Sequence, residues 1–353
     1  MAQSLILYLL LAILILILIM PVVSSKIEKN LEIFFLVMGV IASIISGSLN
    51  YNLFLEALES PVFIHGLPIG IFQVVLIAGL IFTKYMGNLE SAIKKIEGKI
   101  GIPLLFSLFI FLLSIGSSVI SAIVSSVIIS EISRVFPVER KIKNTSLVLA
   151  AFSIGLGASL TPLGEPLSTI LVLKLSGPPY YADFFFPMRL LFVYIFPLII
   201  LLSSISYYIL NKEKILSNEG NDFKRPTYME SILRAVKIYI FVFSLTLLGS
   251  SFTLIVENYI IGISPQLMYF FGLTSAFLDN ATLTAAIITP SMSILQIKSF
   301  LISLLISGGL LIPGNVPNIV IAYTHKISFK EWAKIAIPIG IPVFIIMFII
   351  INI

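Results

Sequence analysis

The chain has 353 residues, of which 58% are hydrophobic and only 11% are charged, and its mean hydropathy is +1.11. This composition excludes a soluble fold, whose surface needs far more charge, and predicts a polytopic membrane protein. The net charge of +5 follows membrane topology rather than a nucleic-acid surface, so no nucleic-acid partner is expected, and the absence of cysteine excludes disulfides and thiolate metal sites.

Apolar runs of about 20 residues, the length that crosses a bilayer as a helix, recur along the chain. They do not alternate between apolar and polar residues as barrel strands would, so they predict helices. The first run has no basic stretch before it and is too long for a signal peptide, so we expect a retained helix with its N-terminus outside. Spans are predicted at 4–23, 31–50, 67–83, 145–176, 188–210, 232–256, 299–325 and 337–353, with two scaffold helices in residues 1–66.

Two further apolar segments, 102–136 and 264–297, are too long for one crossing and have small or polar residues near the middle. Re-entrant hairpins fit this pattern, because irregular backbone at membrane depth is tolerated only where protein buries it or it lines a cavity. Residues 84–100 carry apolar side chains at helical spacing between lysines, which predicts an amphipathic helix on the inner surface.

The basic residues test this topology. It places 19 of the 22 Lys and Arg residues on the cytoplasmic side and leaves Lys174, Arg189 and Lys298 outside. This distribution agrees with the positive-inside rule only if each long segment enters and leaves the membrane on the same side. The hairpin at 102–136 then enters from the cytoplasm, the hairpin at 264–297 enters from outside, and both termini of the chain lie outside the cell membrane.

The chain is predicted to contain an internal repeat. Residues 67–210 and 232–353, separated by a polar cytoplasmic linker at 211–231, each have a helix, a hairpin, a broken helix and a final helix. Gly164-Glu165-Pro166 in the first half lies opposite Gly314-Asn315, with Pro317 just beyond, in the second. Each half has three full crossings, so the halves are inverted in the membrane. This pattern is typical of secondary transporters, with the substrate site near the midplane where the breaks meet.

These motifs resemble those of the ion transporter superfamily, which includes NhaD-type sodium/proton antiporters, arsenite permeases and divalent anion/sodium symporters. LDNATLTAA (278–286) is similar to the antiporter hairpin motif, and GASLTPLGEP (157–166) is similar to the motif of the broken helix. The nearest resemblance is to a group of predicted cation transporters. Hairpin one, SSVISA (117–122), departs from the pattern by lacking an acid or a Ser-Asn-Thr tip. The resemblance implies a homodimer with scaffold helices at the interface.

Two acids are expected deep in the membrane: Glu165 at the first break and Asp279 at the tip of the second hairpin. A buried ionisable group is costly, and oxygen ligands suit a hard cation, so both acids are predicted to bind Na⁺ or a proton. Further cation-binding candidates are Asn280, Thr282, Thr161 and Asn315, and Ser117, Ser118, Ser121, Thr284 and Asn318 are expected to line the site. The alternative for all of these residues is a structural role in capping helices or packing them closely.

The sequence favours exchange of Na⁺ or a similar cation for protons, with Na⁺ and H⁺ as transported or coupling ions and no cofactor. A sodium-coupled importer of a small anion is the alternative. No enzyme is expected, because an intramembrane protease needs a second deep Asp or a membrane-embedded His, and neither His65 nor His325 is so placed. Glu131 and Arg134 are expected to pair at the inner surface, and Trp332 to anchor at the membrane interface.

Overall fold

The computed structural model describes residues 2–63, 70–212, 227–259, 263–278 and 280–352. Every regular element in these ranges is helical, which confirms the all-α fold class. The helices are α1 (Ala2–Val23), α2 (Ser25–Lys29), α3 (Leu31–Ser46), α4 (Tyr51–Glu59), α5 (Ile71–Ile100), α6 (Ile102–Ile120), α7 (Ala122–Ser133), α8 (Arg140–Ala158), α9 (Pro166–Lys174), α10 (Phe186–Lys212), α11 (Tyr228–Tyr259), α12 (Pro265–Phe271), α13 (Asn280–Ile287), α14 (Ile294–Gly308), α15 (Val316–His325) and α16 (Phe329–Asn352). His65, Asp279 and positions 213–226 of the predicted linker lie outside the described residues.

Five helical segments among the described residues are long and apolar enough to cross a membrane, by length and composition: Leu5–Val23, Ile102–Ile120, Phe186–Lys212, Tyr228–Phe252 and Phe329–Asn352. They support the membrane protein that the composition predicts. Helix α6 is among them, although the sequence pattern places it in the first hairpin. Helices α3, α7 and α14 are apolar but shorter.

Residues 71–100 form one helix, α5, rather than a span followed by a separate surface helix. The sequence pattern changes near Lys84 from apolar to charged, but no proline interrupts the segment. A change from apolar to charged side chains alters which environment the helix surface prefers, lipid or water. It does not break the backbone hydrogen bonds of the helix, as a proline would. The predicted boundary at residue 84 is therefore wrong.

The two halves of the chain contain the same order of helices. A long helix (α5 or α11) precedes a pair of helices (α6 and α7, or α12 and α13), an interrupted helix (α8 and α9, or α14 and α15) and a final helix (α10 or α16). The contacts also correspond: α5 packs on α7 as α11 packs on α13, and α6 packs on α8 as α12 packs on α14. The halves also exchange contacts, because α9 packs on α13 and α15 packs on α7. Both interrupted helices thus lie at the centre.

Helices α8 and α14 are buried along almost their whole length, and their small residues allow close approach by neighbouring backbones. Gly157 is the tightest contact, since a Cβ atom built there would lie 1.8 Å from the Ser114 carbonyl oxygen of α6. A side chain at this position would therefore push α8 away from α6. On α6 itself, Gly116 faces open space, with no atom within 4 Å of an added Cβ.

We predict that Gly157→Ala lowers the stability of the protein by about 1–3 kcal/mol, because the added methyl group overpacks the contact between α6 and α8. Gly116→Ala is the matched control and is expected to unfold at the parent temperature or slightly above it, since alanine favours helix more than glycine does. Thermal unfolding in detergent measures both. Equal midpoints for the two variants would contradict the packing described.

Candidate functional site

The first interrupted helix breaks between Ala158, the last residue of α8, and Pro166, the first residue of α9. Pro162 and Pro166 cannot donate the backbone hydrogen bonds that would continue α8. At Gly164 a Cβ atom would lie 2.0 Å from the Ala158 carbonyl oxygen, so only glycine allows the chain to fold back this tightly. Glu165 then occupies the N-cap of α9 with extended backbone angles, φ −156° and ψ 156°, and is 7% exposed.

The second interrupted helix breaks in the same way between Gly308 of α14 and Val316 of α15. Asn315 occupies the N-cap with φ −154° and ψ 150°, within a few degrees of Glu165. The backbone hydrogen bonds also match: Gly164 N–H donates to the Thr161 carbonyl at 3.1 Å, and Gly314 N–H donates to the Leu311 carbonyl at 3.3 Å. Gly164, Glu165 and Ser168 correspond to Gly314, Asn315 and Asn318, each 150 residues later.

Side chains satisfy the carbonyl groups that each break leaves without a helical partner. In the first break the Ser168 hydroxyl donates to the Ser159 carbonyl at 2.6 Å. In the second the Asn318 amide donates to the carbonyls of Gly308 at 2.7 Å and Leu311 at 2.8 Å. Asn318, predicted to line the site, therefore caps the preceding half-helix.

Trp332 adds a further cap to the second break. It is fully buried, and its indole N–H donates to the Gly309 carbonyl at 3.2 Å. The prediction of an interfacial anchor is therefore wrong for this residue. Tryptophan is common at membrane interfaces, but an indole N–H is equally suited to a buried carbonyl, and only the fold decides which partner it meets.

The first hairpin meets the first break at its tip, Ser121, whose φ of 77° turns the chain between α6 and α7. The Ala122 N–H donates to the Gly164 carbonyl at 2.9 Å, and the Thr161 hydroxyl donates to the Ser118 carbonyl. The structure thus brings Thr161, Ser118 and Ser121 next to the loop that carries Glu165. This grouping is the one that the sequence predicts for the first half.

The serine hydroxyls of this hairpin already serve the backbone. Ser117 donates to the carbonyls of Ser114 at 2.7 Å and Ile154 at 3.0 Å, and Ser118 donates to Ile115 at 2.8 Å. The Ser121 oxygen accepts the Val124 N–H at 3.4 Å as an N-cap. These hydrogen bonds support a role in packing and capping more directly than one in ligand binding. Each hydroxyl oxygen can still accept a hydrogen bond or coordinate a cation.

The second hairpin carries Asp279, which lies outside the described residues, and Asn280, which begins α13 and is 4% exposed. The side-chain Oδ1 of Asn280 accepts the Ser275 hydroxyl, and a Cβ atom built at Gly308 would lie 3.2 Å from both of these side-chain oxygens. The Asn280 amide nitrogen has no partner within the described part of the chain. Asn280 therefore lies at the second break.

The remaining candidates lie elsewhere or serve the helices. Thr282 faces α11, since a Cβ atom at Gly249 would lie 3.0 Å from its hydroxyl oxygen. Thr284 donates to the Asn280 carbonyl one turn earlier at 2.8 Å. Asn315 accepts the Val316 N–H at 2.8 Å, and its amide nitrogen lies against Gly155 of α8, so the second break touches the first interrupted helix.

A buried ion cluster lies beside this region, and its size could not be read from the sequence. Glu131 pairs with Arg134 at 2.9 Å as expected, and at 1% exposure it is buried inside the protein. Arg234 of α11, 8% exposed, supplies a second contact at 2.9 Å. Arg134 also donates to the Thr324 carbonyl of α15 at 3.3 Å. The only sequence signal was the spacing of Glu131 and Arg134, because Arg234 lies far away along the chain.

Within the described ranges, no group of three or more His, Asp or Glu side chains is placed to hold a metal ion. Asp183, in the loop before α10, is exposed, and Arg189 donates to it at 2.8 Å and lowers the pKa of that carboxyl group. An ion at the first break would meet the Glu165 carboxylate together with hydroxyl and backbone oxygens, which is a donor set for a hard cation.

The helical fold, its apolar spans and its two interrupted helices define a polytopic helical membrane protein. Residues 7–353 match the family described as protein of unknown function (DUF1646), so the chain belongs to that family. No curated protein matches the chain. The resemblance to the ion transporter superfamily stays a prediction.

We predict that Glu131→Ala lowers the stability by about 3–5 kcal/mol, because Arg134 and Arg234 are left buried without their counter-ion. Asp183→Ala is the matched control, since it removes an ion pair whose partners are each 58% exposed, and it is expected to unfold like the parent. Thermal unfolding in detergent compares them. Glu131→Ala unfolding at the same temperature as Asp183→Ala would show that the cluster does not stabilise the fold.

Proposed function

We propose that the protein is a secondary active transporter that exchanges Na⁺, or a similar small cation, for protons by alternating access. Glu165 and Asp279 are the exchanging carboxylates, and Thr161 and Asn280 are neighbouring oxygen donors. Thr284 and Asn318 are assigned to helix capping, and Thr282 to the contact with α11. Ser117, Ser118, Ser121 and Asn315 shape the hairpin and the breaks around the ion.

The observation that carries this proposal is the position of Glu165. Its carboxylate is 7% exposed and sits at a break in a helix, while the same backbone position in the other half holds a neutral amide, Asn315. Burial makes the ionised form of a carboxylate costly, and both a proton and a cation relieve that cost. Competition between these two for one group is the basis of exchange.

The lengths of α7 and α13, the second helix of each pair, support the re-entrant hairpins within this proposal, whereas α6, with 19 residues, is long enough to cross the membrane. Helix α7 has 12 residues and α13 has 8. At about 1.5 Å per residue, they extend roughly 18 and 12 Å, about half of a 30 Å hydrocarbon core. Arms of this length would end near mid-membrane, which is where the proposal puts the breaks. Three crossings in each half then invert the second half relative to the first.

The assembly is proposed to be a homodimer in the cell membrane with both termini outside. The basic residues support this orientation through the positive-inside rule. The long first helices of each half, with α1 and α3, form the scaffold, and the hairpins and interrupted helices form the moving unit.

Sodium-coupled uptake of a small anion is the second candidate, and one observation favours it. Helices α7, α9, α13 and α15 all begin at the hairpin tips or breaks, and helix N-termini carry partial positive charge that attracts anions. The unpartnered Asn280 amide nitrogen adds a donor. Against it, Glu165 places a negative group at one of these N-termini, so under this candidate Glu165 holds the coupling sodium ion.

Reconstituted vesicles with a trapped pH indicator test the proposal. Addition of Na⁺, Li⁺, K⁺ or Ca²⁺ outside is expected to drive protons out, and Glu165→Gln or Asp279→Asn to reduce this flux below about a tenth of the parent rate. Glu139→Gln, which neutralises an exposed carboxylate, is the matched control and keeps the parent rate. The antiport proposal fails if no cation moves protons, and sodium-dependent uptake of a labelled anion would favour the second candidate.

A further inference from the structure

A cavity of about 790 Å³ lies between α2, α3, α11 and α15. At its mouth are Lys326 and Glu230, whose side chains are 80% and 56% exposed. At its inner end is Ile312, which is 1% exposed and belongs to the second break. The cavity therefore runs from the surface of the protein to the loop that carries Asn315.

The walls of the cavity combine apolar side chains with charged ones, and most of the charged side chains form ion pairs. Lys237 of α11 contacts Glu32 of α3 at 2.8 Å, and the Tyr323 hydroxyl of α15 donates to Glu32 at 3.3 Å. Arg234 on the same wall is neutralised by Glu131 at 2.9 Å. Ionic side chains within an apolar protein favour a water-filled space over one filled by lipid chains. Paired charges also leave no strong field to exclude ions of either sign.

The basic residues of the lining indicate which side of the membrane the cavity faces. Arg134, Arg234, Lys237 and Lys326 all line it. All four belong to the set that the topology assigns to the cytoplasm, and none of the three residues assigned to the outside lines it. The cavity therefore opens toward the cytoplasm.

We propose that this cavity is the aqueous entrance through which solute reaches the second helix break from the cytoplasmic side. The identity of that solute rests on the proposed function, whereas the route itself depends only on the cavity and the topology. Tyr323 and Thr324, near the end of α15, form the wall that solute passes before Ile312. Ile319, on the same helix, is 1% exposed and does not line the cavity.

The absence of cysteine allows single cysteines to report on this route. Thr324→Cys and Ala322→Cys are expected to react with a charged, membrane-impermeant methanethiosulfonate in inside-out vesicles and to be protected in right-side-out vesicles. Ile319→Cys is the matched control and should react in neither orientation until the protein is denatured. Ser176→Cys, exposed in the loop after α9, should show the opposite sidedness.

Each outcome distinguishes the route from the transport reaction. Protection of both cavity cysteines in both orientations would overturn the entrance, provided that the variants elute as the parent does in size-exclusion chromatography and label after denaturation. Labelling from the outside would overturn its cytoplasmic sidedness. Labelling as expected together with an absence of cation-driven proton movement would leave the entrance standing and reject the antiport proposal.

Discussion

A helix that stops inside an apolar medium leaves carbonyl and N–H groups that water cannot satisfy, and this constraint governs the centre of the molecule. The chain meets it twice with one backbone solution, a glycine turn followed by an extended N-cap residue. Ser168 and Asn318 then bond the carbonyls of the preceding half-helices. The hairpin tip supplies Ala122 N–H to the first break. Without these bonds neither break would be tolerable in the buried interior of the protein.

The residue at the N-cap position differs between the halves, although the backbone around it is the same. Glu165 occupies it in the first half and Asn315 in the second, at nearly the same backbone angles. An acid at one break and an amide at the other give two halves of like shape and unlike charge. Under the proposed exchange, a cation or proton would be held at the break that carries Glu165, while the break that carries Asn315 would contribute a neutral side chain.

Much of this arrangement could be predicted from the sequence, and the failures have physical causes. Gly164 and Gly314 mark the breaks because only glycine permits the close approach of the preceding carbonyl. The grouping of Thr161 with the first hairpin was also foreseen. Capping by Asn318 and Thr284 was left open as the alternative to ion binding, since an amide or hydroxyl that binds an ion and one that caps a helix look identical in sequence. Trp332 was placed at the membrane interface because its common location outweighed any local signal.

The sequence by itself determined the helical membrane class, the positions of the breaks and the order of elements in the two halves. These properties depend on residues near one another along the chain: apolar runs, prolines and glycines. Only the tertiary structure decided that Arg234 joins Glu131, that Asn315 touches Gly155, and that a cavity lined by ion pairs leads to the second break. Each of these depends on the packing of helices that lie far apart in the chain, which side-chain periodicity does not specify.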